Sequence, residues 1–344
     1  MTEQKMLAIG ESIDRLITVD VPARGVIGKL YDSARKIVGR PLTMNAAEKL
    51  LEKTGKNDVV YLLTGFQAPN WGITESDGPI GAIMLARAIS IATDAIPVII
   101  TDDINLKLTI ATSRTAGLNI LDKPKPAPTE RLPRSVVVHG IPINSNVQDI
   151  AGDMFDDNSP SAVISIERPG WNEKELYHNS SGFDISHLNA HFDHFYQEAK
   201  NRNVLTIGIG DGGNELGMGN IKETVKEIVP HGAKCQCPCG AGIAASNKSD
   251  AIIATTVSNW GGYGIGASLA ALTGNFEVLH DRDLEIRVSR KCADEGGLDG
   301  VVGYPMPGAD GITETVTGGV VDLLASIVKR NLDGTWDTKF KAGI

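Results

Sequence analysis

The segment Gly208–Gly219 reads GIGDGGNELGMG and begins within the end of a largely apolar run over residues 204–209. Six of its twelve residues are glycine, so the chain must turn sharply there or lie close to another group. A buried strand that ends in such a loop is typical of a binding site on a sheet. Asp211, Asn214 and Glu215 are the polar side chains of this loop, and we expect them to form the centre of a functional site.

Outward from this loop, short apolar runs alternate with helical patterns along most of the chain. The run DVVYLLTGF at 58–66 is typical of a strand buried on both faces of a parallel sheet. Strands are predicted at 58–66, 96–101, 135–141, 162–166, 204–209 and 250–257. Helices are predicted at 79–93, 106–116, 147–155, 188–202, 221–229, 264–272 and 314–331. This alternation predicts an α/β fold with a doubly wound, mostly parallel sheet flanked by helices.

Before the first strand, apolar residues recur every three or four positions, with breaks at Pro22 and Pro41. We predict an N-terminal helical cap over residues 1–55 and an α/β catalytic domain over residues 56–344. Arg24 falls in the break between two of these helices. A guanidinium in such a break is able to reach a ligand, but we expect a solvated surface charge there.

The chain has 344 residues, a formal net charge of −9 and 42% hydrophobic residues, which is typical of a soluble globular protein. The acidic balance argues against nucleic acid or an anionic membrane surface as partner, because both select clustered Lys and Arg. No apolar run reaches the length of a membrane span, and the first residues resemble neither a secretory signal nor a transit peptide. We therefore expect a cytoplasmic protein with a small-molecule substrate; homo-oligomer formation stays open.

A nucleotide site is the first alternative for the glycine loop, since Gly208, Gly210 and Gly213 match GxGxxG. Asp211 and Glu215 would, however, crowd a pyrophosphate, and no Gly-Lys-Ser/Thr sequence follows to form a Walker loop. Carboxylates in the loop favour a cation instead, either a metal ion or the ammonium of an amino acid. We expect no nucleotide.

Ligands of parallel sheets bind beyond the carboxyl ends of the strands, and acidic residues follow most of the predicted strands. Candidates at these ends include Glu75, Asp77, Gly78, Glu167 and Arg168. For Asp77 the sequence leaves two roles open, a helix N-cap before Pro79 and a catalytic carboxylate. The loop predicted at SNWGGY adds four candidate ligand contacts, Ser258, Asn259, Trp260 and Tyr263.

Two further groups of side chains carry metal-ligand chemistry. Cys235, Cys237 and Cys239 are able to bind a thiophilic metal, but structural zinc needs four ligands and CxCxC differs from the usual CxxC knuckle. We expect a cysteine-rich strand edge without a metal. His187, His191 and His194 lie at helical spacing without a completing carboxylate, and we expect no metal there either.

Taken in order, the motifs TGFQAPNWGITESDGP, IERPGW, IGIGDGGNELGMG and SNWGGY resemble the D-glutamate cyclase family, in its catalytic-type domain. The resemblance covers residues 59–302 and implies a hydro-lyase that converts D-glutamate to 5-oxo-D-proline with loss of water. Mammalian relatives carry an extra N-terminal domain and are mitochondrial, and we expect this chain to lack the domain and a transit peptide. The chain departs from the family in KCQCPCG and in the TES form of the ETDGP-like loop, which leaves the substrate open between D-glutamate and a related small amino or hydroxy acid. A non-catalytic amino-acid-binding protein is the alternative from another class.

Lactam closure requires a base near the ammonium and an activated γ-carboxylate. We assign the catalytic roles to Asp211, Glu215, Asn214 and Glu167, with Asp211 or Glu167 as the base. A divalent cation, Mn²⁺ or Mg²⁺, held by Asp211 and Glu215 is the predicted cofactor, although the sequence does not decide whether it is required. Arg168 and the helix N-terminus after Gly78 are predicted to bind the α-carboxylate. We expect the substrate to lie close to the backbone at Gly210, Gly212 and Gly213. Further substrate contacts are predicted for Glu75, Asp77, Ser258, Asn259, Trp260 and Tyr263.

Overall fold

The computed structural model describes residues 2–67, 69–70, 72–125 and 132–332. Within this part of the chain, seven parallel strands form one sheet in the order β3-β4-β2-β1-β5-β6-β7. The strands are β1 (Val59–Thr64), β2 (Ile96–Asp102), β3 (Asn119–Leu121), β4 (Ser135–Ile141), β5 (Ala162–Ile166), β6 (Leu205–Gly210) and β7 (Ala251–Ala254). A separate antiparallel pair consists of β8 (Gly308–Ala309) and β9 (Ile312–Thr313). The predicted α/β fold with a parallel sheet is confirmed.

Helices cover both faces of this sheet. They are α1 (Glu3–Ile17), α2 (Ile27–Val38), α3 (Leu42–Lys53), α4 (Pro79–Thr93), α5 (Leu106–Thr115), α6 (Val147–Asn158), α7 (Asp193–Asn201), α8 (Lys222–Ile228), α9 (Ser258–Thr273), α10 (Arg282–Asp294) and α11 (Glu314–Leu332). The short edge strand β3 and the strongly polar helix α10 are absent from the sequence prediction. Both have weak apolar patterns, since β3 is only partly buried and α10 buries few of its side chains.

Two apolar layers hold the sheet between its helices. Strand β1 is buried along its whole length, and its alternate residues enter opposite layers, as expected for a central strand. Val60 and Leu62 pack with α4 and α9, whereas Tyr61 packs edge-on against the rings of Phe155 and Phe195. The carboxyl end of β1 is therefore fixed from both sides.

The N-terminal helices share the core of the sheet. Ile9 and Ile13 of α1 belong to the same apolar cluster as the residues of α4 and α9. The buried carboxylate of Asp14 accepts hydrogen bonds from the backbone N–H groups of Leu42 (2.6 Å) and Thr43 (3.1 Å), where α3 begins. A domain division at residue 55 stays a prediction. None of the described helices combines the length and apolar character that crossing a membrane requires.

The strand order reverses direction between β1 and β5. From β1 the chain proceeds to β2 on one side, and later strands β5, β6 and β7 extend the sheet on the other. Such a switch point leaves a crevice beyond the carboxyl ends of the two strands, where the following loops separate. The glycine loop follows β6, next to this crevice.

Candidate functional site

A cavity of about 250 Å³ lies at these carboxyl ends, a volume suited to a small metabolite rather than a dinucleotide. Its described wall consists of Arg24, Phe66, Glu75, Glu167, Asn179, Ser180, Ser181, Asp211, Gly212, Asn214, Gly300, Val301 and Asp310. A larger cavity of about 600 Å³ reaches the first residues of β2 and β4, Ile96 and Ser135. It lies at the amino ends of these strands, away from the switch point, and brings no carboxylate cluster with it.

The carboxyl groups of four other residues converge on Asp211. Oxygens of Asp77, Asp211 and Asp310 lie within 4.8 Å of one another, and so do oxygens of Glu167, Asp211 and Glu215. Asp211 is common to both groups, each of which could hold a metal ion. The sequence prediction that Asp211, Glu167 and Glu215 come together is thus matched by the geometry.

Burial and mutual repulsion favour protons on these carboxyl groups. Burial, followed by repulsion from the neighbouring carboxylates, raises the pKa of Glu75, Glu167 and Asp310 well above the usual range. The same causes raise the pKa of Asp77 to about 7 and that of Glu215 to about 8. The cavity therefore has carboxylic acids that retain protons near neutral pH, or it requires a cation to keep them ionised.

Arg24 supplies a positive charge to this cluster. Its Nη2 donates to Asp211 Oδ2 at 2.7 Å, and its Nη1 lies 4.0 Å from Asp310 Oδ2. Among the described residues that line the cavity, Arg24 is the only lysine or arginine. Arg24 lies in the loop between α1 and α2. The start of this loop is held in place because Thr256 N donates a hydrogen bond to the carbonyl oxygen of Ile17 at 2.9 Å. The predicted solvated surface charge is wrong, because the side chain is only 34% exposed and is paired with Asp211.

Glu215 organises the glycine loop. Its Oε1 accepts from the backbone N–H of Gly212 at 2.7 Å, and its Oε2 accepts from that of Gly213 at 2.6 Å. A Cβ atom on Gly210 would lie 2.4 Å from the same carboxylate, and Gly213 has a φ of +88°. These glycines give room to Glu215 and to the turn of the chain. The catalytic and metal-binding roles of Glu215 stay predictions, alongside this observed function in the loop.

Glu167 enters the cavity from a strained backbone. Its φ of 42° places it in the left-handed region, directly after β5. Its Oε2 accepts a hydrogen bond from Ser258 Oγ at 2.5 Å. A Cβ atom at Gly78 would lie 2.8 Å from the Glu167 Cβ atom, so glycine is needed for packing there. Glu167 thus lines the cavity, whereas Ser258 and Gly78 lie behind it.

Asp77 and Asn259 cap each other's helices. The Asp77 carboxylate accepts from the N–H groups of Ser258 and Asn259, both at 2.8 Å, at the first turn of α9. The Asn259 side chain accepts from Gly78 N at 2.9 Å, where α4 begins. The Asp77 side chain thus caps the first turn of α9 rather than the helix that follows it in sequence, whose N-cap residue is Gly78.

SNWGGY forms the first turns of α9, so the predicted loop there is wrong. Trp260 is fully buried in the apolar core. Tyr263 is buried too, and its hydroxyl donates to Glu285 Oε1 at 3.0 Å. Neither side chain lines the cavity. The glycines of this segment let α9 pack closely on α4, so they belong to a helix rather than to a turn.

Arg168 is a buried structural residue rather than a wall of the cavity. Its guanidinium is 0% exposed and is paired with Asp102, which itself is fully buried. It also donates to Gly65 O at 3.0 Å and lies 3.8 Å above the Phe192 ring. The predicted binding of an α-carboxylate by Arg168 does not fit this arrangement, because the guanidinium is fully buried and both of its terminal nitrogens already donate inside the protein.

Two further residues predicted for the site, Glu75 and Asn214, lie in the wall of the cavity. The Asn214 side chain donates to His178 O at 2.9 Å. Ala68 and Trp71, which belong to the TGFQAPNWGITESDGP motif, lie outside the described residues.

Sequence reasoning assigned no role to the wall formed by Asn179–Ser181 or to Asp310. Asp310 has a φ of 55° at the turn between β8 and β9. The nearby Asp299 holds this region by accepting from Val301 N at 2.9 Å and Gly311 N at 2.7 Å. The glycine-rich stretch 296–311 was the available signal, since it predicts an irregular loop able to approach a ligand.

Comparison with known proteins points to one family. The sequence profile of the family described as D-glutamate cyclase-like, C-terminal, matches residues 13–325. The human protein D-glutamate cyclase, mitochondrial (Homo sapiens), is 35% identical to this chain over 111 residues. The aligned segment covers 32% of this chain and 17% of the human protein, so less than a fifth of that relative is spanned.

Proposed function

This chain belongs to the D-glutamate cyclase-like family, and we propose that it is a hydro-lyase that cyclises D-glutamate to 5-oxo-D-proline. The observation that carries the proposal is the 250 Å³ cavity in which Arg24 and a cluster of buried carboxyl groups meet at the switch point of the sheet. Cytosolic localisation and homo-oligomer formation stay predictions.

The Arg24–Asp211 pair complements the charges on the α-carbon of an amino acid. The two side chains present a guanidinium and a carboxylate joined at 2.7 Å, and an amino acid presents an ammonium and a carboxylate on one carbon. We assign the α-carboxylate to Arg24 and the ammonium to Asp211, with opposite charges facing each other. Arg24 thereby takes the anchoring role that the sequence suggested for Arg168.

Ring closure forms a bond between the amine nitrogen and the carbon of the γ-carboxylate and breaks one bond from that carbon to oxygen. The ammonium loses two protons, and the departing oxygen gains two and leaves as water, so the overall charge is unchanged. Asp211 or Glu167 is the base that takes a proton from the ammonium. Glu75 and Asp310 have raised pKa values through burial and are suited to donate a proton to the leaving oxygen, and Glu167 is suited to the same role where Asp211 is the base.

The carboxylate oxygens of Glu167, Asp211 and Glu215, all within 4.8 Å, fit a hard divalent cation such as Mn²⁺ or Mg²⁺. A cation bound there would neutralise the γ-carboxylate and make its carbon more electrophilic. Arg24 and the protonated carboxyl groups provide part of the same neutralisation from the protein itself. Dependence on a metal is therefore a question for experiment.

The direct test is incubation of the purified protein with D-glutamate and, separately, L-glutamate, with EDTA or with added Mn²⁺, followed by mass spectrometry. We expect 5-oxoproline from D-glutamate. Thermal stabilisation by D-glutamate without any product would instead support an amino-acid-binding protein. If D-glutamate gives no product and no thermal stabilisation, D-glutamate as the substrate is contradicted. A screen of related amino and hydroxy acids would then follow.

A further inference from the structure

The cysteines of KCQCPCG converge on a histidine from a distant part of the chain. The ligand atoms of His178, Cys235, Cys237 and Cys239 all lie within 4.8 Å of one another. Cys235 Sγ lies 3.5 Å from Cys237 Sγ and 3.3 Å from Cys239 Sγ. His178 Nε2 lies 3.2 Å from Cys237 Sγ and 3.7 Å from Cys239 Sγ. Four potential ligands therefore surround one point.

This arrangement overturns the expectation of a strand edge. Residues 232–249 form turns and bends rather than a strand of the sheet, so their thiols are able to face one another. The fourth ligand, whose absence argued against zinc in the sequence, comes from His178, 59 residues before Cys237. A spacing of this length carries no recognisable knuckle motif.

We propose that His178, Cys235, Cys237 and Cys239 bind one structural zinc ion. Zinc bonds of about 2.3 Å to sulfur and about 2.0 Å to nitrogen place tetrahedral ligands roughly 3.5–3.8 Å apart. The four measured separations, 3.2–3.7 Å, require only small adjustments to reach this geometry. Three thiols and one imidazole are a soft donor set that selects zinc over Mg²⁺ or Mn²⁺.

The surroundings of the four ligands suit a closed structural site. His178 and Cys235 are buried, and Cys237 and Cys239 are partly buried. The side-chain amide of Asn172 donates to Cys239 Sγ at 3.5 Å and to Gly242 O at 2.7 Å. Such a hydrogen bond orients the sulfur and stabilises its thiolate form. Since four protein ligands complete the tetrahedron, no position is left for a substrate.

The zinc would fix one wall of the carboxylate cavity. His178 precedes Asn179–Ser181, which line that cavity, and its carbonyl accepts from Asn214 of the glycine loop at 2.9 Å. On the other side, Gln236 N donates to Gly182 O at 2.8 Å. The ion would therefore cross-link the segment that carries the wall to the loop 235–239.

The test is metal analysis of the full-length protein, purified without a metal-affinity tag, by inductively coupled plasma mass spectrometry. We expect one zinc per chain in the wild type and loss of bound zinc in His178→Ala. His187→Ala is the matched control, because His187 is exposed and outside the cluster, and it should retain zinc. Cys292→Ala removes a buried thiol elsewhere in the chain and should also retain it.

A second measurement covers the case in which a ligand variant fails to fold. The wild-type protein, stripped by a chelator under reducing conditions, is titrated with Co²⁺, and the visible spectrum of tetrahedral thiolate-bound cobalt is recorded. Appearance of this spectrum and its loss on adding Zn²⁺ would support the site. Reduced, folded protein that takes up neither ion, or cysteines paired as a disulfide in freshly purified protein, would overturn it. Both readouts are made without D-glutamate, so they are independent of the proposed cyclase activity.

Discussion

Two arginine–aspartate pairs lie near the carboxyl ends of the strands, and they differ in what surrounds them. Arg168 and Asp102 are both 0% exposed, and backbone carbonyls use further donors of the guanidinium. Arg24 is 34% exposed and pairs with Asp211 at the wall of a cavity. The first pair is closed within the protein, whereas the second is open to a small molecule.

Residue type and position after a strand are therefore not enough to identify an arginine that binds a ligand. Arg168 is the second residue after β5, a position typical of a ligand contact, but its partner Asp102 at the end of β2 is two strands away in the sheet. Arg24 lies in a break between helices and reaches the site only because that break is hydrogen-bonded to the end of β7. The partner of each arginine decides its function.

The largest expected effect on stability comes from the closed pair. Arg168→Ala leaves the Asp102 carboxylate buried without its countercharge, so the free energy of unfolding should fall by about 3–5 kcal/mol. Chemical denaturation of the variant and the wild type measures this loss. Arg202→Ala, which removes partly exposed ion pairs with Asp156 and Glu198, is the control and should change the free energy of unfolding by about 1 kcal/mol or less. A comparably small change for Arg168→Ala would contradict the structural role.

Arg24→Ala should act on binding more than on folding. Loss of a charge-assisted hydrogen bond to the substrate carboxylate costs about 1.5–3 kcal/mol, which raises KM for D-glutamate about 10- to 150-fold. Steady-state kinetics with the folded variant, checked by its melting temperature, measures this change. Arg24→Lys keeps the charge and should give an intermediate KM. An unchanged KM in Arg24→Ala would remove this residue from the substrate site.

The carboxyl groups around Arg24 predict how stability depends on pH above 6.5. Asp77 and Glu215 have pKa values of about 7 and about 8 through burial and repulsion, above the values of an unfolded chain, so the native state holds more protons. These bound protons stabilise the folded protein, and their contribution is complete below about pH 4 and is lost as pH rises through 7 and 8. The free energy of unfolding falls by up to about 1.4 kcal/mol per pH unit for each such proton. Below 6.5, His139 and His191, whose pKa values are lowered by burial, act in the opposite direction.

Denaturant unfolding in EDTA between pH 6.5 and 8.5 measures this slope. Asp310→Asn should flatten the curve, because it removes one carboxyl group with a raised pKa. Added Mn²⁺ should flatten it as well if a cation binds the ionised cluster. The same dependence on pH in Asp310→Asn and in the wild type would contradict a proton on this carboxyl group in the folded protein.

Much of the fold could be predicted because its signals are local. The apolar strands β2, β4 and β5 and helix α4 follow directly from composition and spacing, and Pro79 marks the start of α4. Helix α10 and strand β3 could not be predicted, since tertiary packing rather than an apolar pattern stabilises them. SNWGGY was misread because its glycines signal a turn, although here they serve close contact between α9 and α4.

The site was predictable where the residues follow neighbouring strands. Glu167 and the glycine loop lie at the ends of β5 and β6, and the order of strands brings them together. Arg24 and Asp310 come from opposite ends of the chain, so their approach depends on long-range packing that no local pattern encodes. The same holds for His178 beside the three cysteines.

We propose that the open pair, and not the closed one, performs the chemistry on D-glutamate. The most direct test is the rate of 5-oxoproline formation in Asp211→Asn, compared with the wild type, with folding checked by circular dichroism. We predict a folded protein without turnover, because a neutral amide in place of the Asp211 carboxylate would neither take a proton from the ammonium nor balance its charge. Wild-type turnover in the folded variant would contradict the claim.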